Sequence, residues 1–161
     1  MRLSRRGLDL IKSFEGLRLV AYLCPAKVPT IGYGTTAGVT LKDVLDKRAI
    51  TEAEAEAMLV HSVEFFEACI RKNVTITLNQ NQFDALVSLV YNIGCGNLKT
   101  SRALKLTNER HFWEAGDAIL LWDKIRDSAG RLVSSAGLFR RRKAERALFL
   151  ERPVAPPLAA A

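Results

Sequence analysis

The stretch SFEGLRLVAYLCPAKVPTIGYGTT, Ser13 to Thr36, decides how the whole chain is read. It closes a helix and opens something different. Ahead of it, Ser4 can cap a helix whose apolar residues Leu8, Leu10, Ile11 and Phe14 give it a buried side, and Gly16 can end that helix. Glu15 then falls on the last turn. Beyond Gly16, RLVAYL and VPTIGYG are short, β-prone runs bounded by Gly and Pro, so Arg18 to Gly34 is expected to form a small hairpin or sheet. Gly32 and Gly34 predict bends or close backbone approach. A carboxylate, Glu15, thus stands where a helix meets a small β unit, with a thiol, Cys24, within that unit.

After a loop carrying TTAGVTLKD the character turns helical and stays so. ITEAEAEAMLVHSVEFFEACIRKN opens with Thr51 and Glu54 at capping-box spacing. LNQNQFDALVSLVYNIGCGN begins at Asn79 with Gln82 three residues on, carries Phe83, Leu86, Leu89, Val90 and Ile93 on one side, and stops at Gly94. Shorter helices are expected around Ser101 to Leu106 and in FWEAGDAILLWDKI. A basic helix from about Ser135 to Glu151 completes the set. The expectation is one domain over residues 1–151, with a β lobe near 17–36 and a helical lobe near 51–151. RPVAPPLAAA, from residue 152 on, reads as a loose tail.

Composition narrows the function classes. At 161 residues, 48% apolar and 25% charged, the chain is an ordinary globular protein able to bury a core. No apolar run approaches the roughly 20 residues that a bilayer span needs. The basic start lacks the h-region and cleavage site of a signal peptide, so the product is expected to stay in the cytoplasm of the cell that makes it. Three cysteines, Cys24, Cys69 and Cys95, lie far apart, which argues against a zinc site or a disulfide framework and predicts free thiols. With two histidines, little is offered to a metal, and neither metal nor cofactor is expected.

The net charge of +7 calls for an anionic partner. Its densest run is LFRRRKAERALFLER, read as a solvated basic face, with Arg140, Arg141 and Arg142, on a helix packed through residues such as Leu138, Phe139, Ala147 and Leu148. No helix-turn-helix, zinc-finger or RNA-platform pattern accompanies it, so nucleic acid is not the expected partner. A bacterial envelope, rich in phosphate and carboxylate, suits the charge equally.

Four segments in order, FEGLRLVAY, PTIGYGTT, LNQNQFDALVSLVYNIG and GLFRRRKAERALFL, resemble the phage-type lysozymes of glycoside hydrolase family 24, over about residues 4 to 150. The resemblance implies an α+β, mainly α, lysozyme-like fold: an N-terminal helix and a small β lobe packed on a larger helical lobe. It implies a muramidase that hydrolyses the β-1,4 bond between N-acetylmuramic acid and N-acetylglucosamine in peptidoglycan. A monomer is expected, working as an endolysin that waits for a holin-type, membrane-permeabilising partner before it reaches the wall. By position, Glu15 matches the family's glutamate and Thr30 its threonine, while Cys24 falls where an aspartate usually stands; some lysozymes of this family do carry cysteine there. Thr35 takes the place of a usual histidine. Thr36, Tyr91 and Ser101 match residues lining the sugar groove, and Asn92 could bond an acetamido group.

The residue types give this a chemical sense. Glycoside hydrolysis needs a proton for the leaving oxygen and a group on the opposite face that activates water or attacks. Glu15, at a helix C-terminus facing a partly apolar cleft, is placed to favour its protonated form. The alternative is that it simply pairs with an arginine such as Arg141 or Arg146, which does not exclude catalysis. Cys24 as thiolate could do the second job, helped by Lys27 or Arg18 and by the Thr30 hydroxyl; otherwise it is a small buried hydrophobe. Tyr91 is either a groove wall or core, and Trp113, Trp122, Phe112 and Phe139 are read as packing. Two other functions compete with the enzyme: a catalytically inactive peptidoglycan-binding homologue, and a basic protein that disorders membranes through its C-terminal helix.

Overall fold

The computed structural model describes residues 1–152, so most of the expected tail, 153–161, lies outside the described residues. Helix α1 runs Arg5–Glu15 and starts at Ser4, whose hydroxyl accepts the Gly7 amide. It ends at Gly16, whose φ of 66° is a conformation that costs glycine least. Leu8 and Ile11 are buried beneath it. The Ser4 backbone amide donates to Asp84 at 3.0 Å and the Ser4 hydroxyl bonds the same carboxylate. Gly7 permits this approach, since a Cβ there would lie 2.8 Å from the Asp84 side chain.

Strands β1 (Arg18–Leu23) and β2 (Pro29–Gly32) form an antiparallel hairpin, with Tyr22 opposite Thr30 and Leu23 opposite Pro29. Ala21, Ile31 and Val39 make a small core of their own, against which Val44, Ile50 and Met58 pack. The segment expected to be only loop contains a short helix, α2 (Leu41–Leu45), started by a Thr40–Asp43 capping box.

The rest is helical: α3 (Glu52–Asn73), α4 (Gln80–Ile93), α5 (Cys95–Lys99), α6 (Arg102–Asn108), α7 (Phe112–Leu120) and α8 (Ala136–Leu150). The Thr51–Glu54 and Asn79–Gln82 capping boxes both form. Helix α4 is the axis of the lobe. Every residue from Gln82 to Val90 is buried, and α1, α3 and α8 all pack on it. Each large apolar side chain so buried contributes about 1.5–3 kcal/mol relative to exposure. No helix among the described residues is long and apolar enough to cross a membrane.

Four expectations need correction. Cys69 and Cys95 are not free thiols: they form a disulfide, Cα to Cα 6.1 Å, that ties α3 to α5 and leaves Cys24 as the free cysteine. Their distance in sequence hid a pairing that depends on where α5 turns back. Helix α7 stops at Leu120, and Lys124–Arg126 with Leu132–Ser134 form a second hairpin, β3–β4. Its turn is organised by Asp127, whose carboxylate accepts the amides of Ala129 and Arg131 at 2.9 Å. In α8 the basic run is split: Arg140 and Lys143 face solvent, whereas Arg141 and Arg142 are buried with Glu145, Leu148 and Phe149. Ala147 and Phe139, expected inside, are exposed. Trp113 is not packing either, at 67% exposure, though Phe112 does pack edge-on against Phe149 and Trp122 lies against the core.

Candidate active site

A cleft of about 390 Å³ opens where α1, the loop after β2, α3 and α4 meet. Its lining includes Glu15, Thr35, Thr36, Phe66, Tyr91 and Asn92. A larger open cavity of about 810 Å³ lies elsewhere, between the start of α4, the start of α7 and the end of α8. The smaller cleft is the candidate chemical site, because it joins a carboxylate to hydroxyl, amide and aromatic groups at a lobe junction.

Glu15 is the one carboxylate among the described residues that line this cleft. Ending α1 at Gly16 delivers it there, and α8 holds it: the Arg141 guanidinium donates through Nη1 to Glu15 Oε1 at 2.6 Å. Of the two arginines proposed as partners, Arg146 instead pairs with Asp117. Arg141 is itself fixed at three further points. Its Nε donates to Glu145 at 3.1 Å, its Nη2 to the Ser88 carbonyl at 3.2 Å, and its guanidinium lies 5.7 Å from the Phe14 ring centre.

Tyr91 stands at the edge between core and cleft, half-buried, so the two readings of it meet. Its hydroxyl donates to the Tyr33 carbonyl at 3.3 Å, and its ring meets Phe66 edge-on. Burial, then the neighbouring Glu15 charge, push the phenol up to about 12, so it remains a neutral donor at any working pH. Thr36 and Asn92 line the cleft and are exposed. Thr35 lines it too, with a buried hydroxyl oxygen that has no hydrogen-bond partner among the described residues.

Cys24 and Thr30 lie together in the hairpin. The five residues Cys24 to Val28 turn between β1 and β2, closed by the Cys24 amide on the Val28 carbonyl at 3.0 Å and by Lys27, whose φ is 60°. Thr30 is buried and its hydroxyl donates to the Val28 carbonyl at 2.9 Å. The Cys24 thiol is half-buried, not a core hydrophobe. It is drawn below its usual range, chiefly by the Val28 backbone against a smaller desolvation penalty, with help from the Ala26 backbone and the Thr30 hydroxyl. Neither Lys27 nor Arg18 is needed for that: Arg18 stacks over Tyr22 instead, 4.4 Å from its ring centre. Ser101 is buried, and its hydroxyl accepts the Leu104 amide at 3.0 Å as the cap of α6. None of Cys24, Thr30 and Ser101 is among the residues lining the cleft.

The sequence model of the phage lysozymes matches residues 12–145, which takes in both lobes and every one of these groups. The chain belongs to the phage lysozyme family. It is accordingly a glycoside hydrolase of the lysozyme type. The endolysin of Acyrthosiphon pisum secondary endosymbiont phage 1 is 40% identical over 149 residues, covering 92% of this chain and 98% of that one. Among solved lysozyme structures, the endolysin from Escherichia coli O157:H7 phage FAHEc1 superposes with a TM-score of 0.85 at 40% identity, covering 94% of each chain. A mutant of P22 lysozyme superposes at 0.82 with 36% identity, over 94% of this chain and 99% of that one. The mainly helical α+β lysozyme fold expected from the four sequence segments is therefore the fold observed.

The buried ion cluster behind Glu15 escaped the sequence reading. Arg141, Arg142 and Glu145 look like part of a solvated basic helix face by spacing alone. The available signal was the i, i+3 and i, i+4 placement of Glu145 after the two arginines, opposite Ser88 on a helix buried along its length.

Proposed function

We propose that this lysozyme, an endolysin-class muramidase acting on peptidoglycan, cuts the β-1,4 bond between N-acetylmuramic acid and N-acetylglucosamine with Glu15 as proton donor and Cys24 as the partner group. The observation that carries the reading is that Glu15 is the one carboxylate among the described lining residues of the cleft. A glycosidic oxygen leaves only if it receives a proton, and no other side chain there can give one, since Tyr91 holds its proton to about 12.

The second role needs a group that is negative near neutral pH. We assign this role to Cys24, whose thiol is drawn below its usual range, with Thr30 beside it to hold a water or steady the sulfur. Either a thiolate-activated water or direct attack by sulfur at the anomeric carbon completes the reaction, and both leave Glu15 the same task. Thr36, Tyr91 and Asn92 bind the sugar: the ring gives a face for an apolar sugar surface, and the amide matches an acetamido group. In this reading the protein acts as a monomer, needs no cofactor, and depends on a holin-type partner for access to the wall. Its exposed cations, Arg140 and Lys143 among them, favour an anionic envelope.

The test compares turbidity loss of outer-membrane-permeabilised cells under wild type and Glu15→Gln. Loss with wild type alone is the expected result. Loss with both would make the protein a membrane-disrupting agent, and loss with neither would make it a wall binder.

A further inference from the structure

Glu15 has a contradictory position: a proton donor must hold its proton, yet it sits 2.6 Å from a guanidinium that favours its charged form. The groups behind Arg141 resolve this. Glu145 is wholly buried, and its Oε1 accepts from Arg141 Nε at 3.1 Å, Arg142 Nη2 at 3.0 Å and Ser88 Oγ at 2.7 Å. Its Oε2 faces Arg142 Nε at 2.7 Å. Burial pushes the Glu145 carboxyl above its usual range, and the two guanidiniums against it oppose that by favouring its charged form. The cluster then holds two guanidiniums, Arg141 and Arg142, against two carboxyl groups, Glu15 and Glu145.

Such a cluster is a poor device for stability. Arg142 is fully buried, its Nε and Nη1 lack hydrogen-bonded partners, and desolvation pulls its guanidinium below the usual range. Well-packed apolar residues in place of buried ion pairs are often neutral or stabilising. What the cluster does achieve is to fix the Arg141 fork from the side away from the cleft.

We propose that Glu145 is a positioning residue for the glycosidic step: with Arg142 and Ser88 it locks the Arg141 fork that holds Glu15, and its negative charge offsets the second guanidinium behind the Glu15 carboxyl. This rests on the reading of Glu15 as proton donor. The charged or titratable groups that bear on Glu15 are Arg141, Arg142 and Glu145 from α8 and Tyr91 from α4. The other lining residues, from α3 and the loop after β2, carry no charge.

The experiment measures kcat/KM against pH on solubilised peptidoglycan for wild type, Glu145→Gln, Arg142→Met and the double variant. A proton donor is active below the pH at which it ionises, so activity falls on the alkaline side. Removing the Glu145 charge leaves a surplus positive charge, and the alkaline limb should move down by about one pH unit. Removing the Arg142 charge leaves a surplus negative one, and the limb should move up. The double variant restores the balance and should return the limb to its wild-type place. Should Glu145→Gln fail to fold, Arg142→Met reads the same effect with the opposite sign. A purely structural cluster lowers melting temperature and amplitude without moving the limb. Unmoved limbs, or two single variants moving the same way, overturn the proposal. Near-native turnover by Glu15→Gln would instead sink the underlying reading, a separate outcome.

Discussion

Breaking the Cys69–Cys95 bond is the perturbation whose size follows most directly from the fold. The bond joins residues 26 apart, from α3 to α5. In the chain-entropy account, closing a loop of that length removes about 12 cal/mol/K from the unfolded ensemble, or about 3.5 kcal/mol at 25 °C. For a domain of this size each kcal/mol moves the melting temperature by about 2–4 °C, so the loss should be roughly 7–14 °C. The assay is thermal unfolding followed by far-UV circular dichroism, for wild type with and without a thiol reductant and for Cys69→Ala/Cys95→Ala. The reduced protein and the double variant should melt together, and the variant should be indifferent to reductant. Turnover at 25 °C should persist, because neither cysteine lines the cleft. A fall of less than about 3 °C in both would refute the reasoning, since the crosslink would then not be restraining the unfolded chain.

Cys24→Asp should retain substantial activity, because aspartate is ionised at neutral pH. Cys24→Ala and Cys24→Ser should both lose about two orders of magnitude or more, as expected for a lost base or nucleophile; near-native turnover by the Ala variant at an unchanged melting temperature would remove Cys24 from the mechanism. On the proposed mechanism Cys24 works as a thiolate, so activity should fall as pH drops through its depressed titration, and Cys24→Asp should carry that acid limb to lower pH; coincident limbs would contradict it. Reducing ends should be released from purified peptidoglycan without added metal and at the same rate in EDTA; loss of rate on chelation would point to another site. Neutralising the exposed Arg140 and Lys143 should weaken wall binding at low salt and not at high salt, measured by pull-down with purified sacculi. Equal loss at both would mean the fold had been damaged.

Much of the architecture was legible because local chemistry and tertiary packing agree. Ser4, Thr51 and Asn79 start helices by capping bonds to residues three positions on, and Gly16 and Gly94 end two of the three. Glu15 could be placed on a helix terminus for the same reason. The misses lie where the outcome depends on contacts distant in sequence. Pairing of Cys69 with Cys95 required the turn into α5, and burial of Arg142 required Glu145 beside it and α4 beneath it. Ser101 matched a groove position, yet its hydroxyl is engaged as the α6 cap. Exposure of Trp113 was invisible because an aromatic on an amphipathic helix normally faces inward, whereas here Arg146 lies 5.8 Å from its ring centre on the outer surface.

The turn from Cys24 to Val28 makes the two groups assigned to the reaction unequal in stiffness. Glu15 is backed by Arg141, Glu145 and Ser88 against a buried helix, and moving it means disturbing the core. Cys24 hangs on a short loop closed by two backbone bonds, with Pro25, Ala26, Lys27 and Val28 all exposed. Such a segment opens at a far smaller free-energy cost than the core does. On the proposed mechanism one partner is an anvil and the other is compliant, so the span between proton donor and thiol would adjust to the sugar that enters, within limits set by β1 and β2. A glycan carrying bulkier modifications would then be met by yielding of the thiol side, with the proton delivered from the same point.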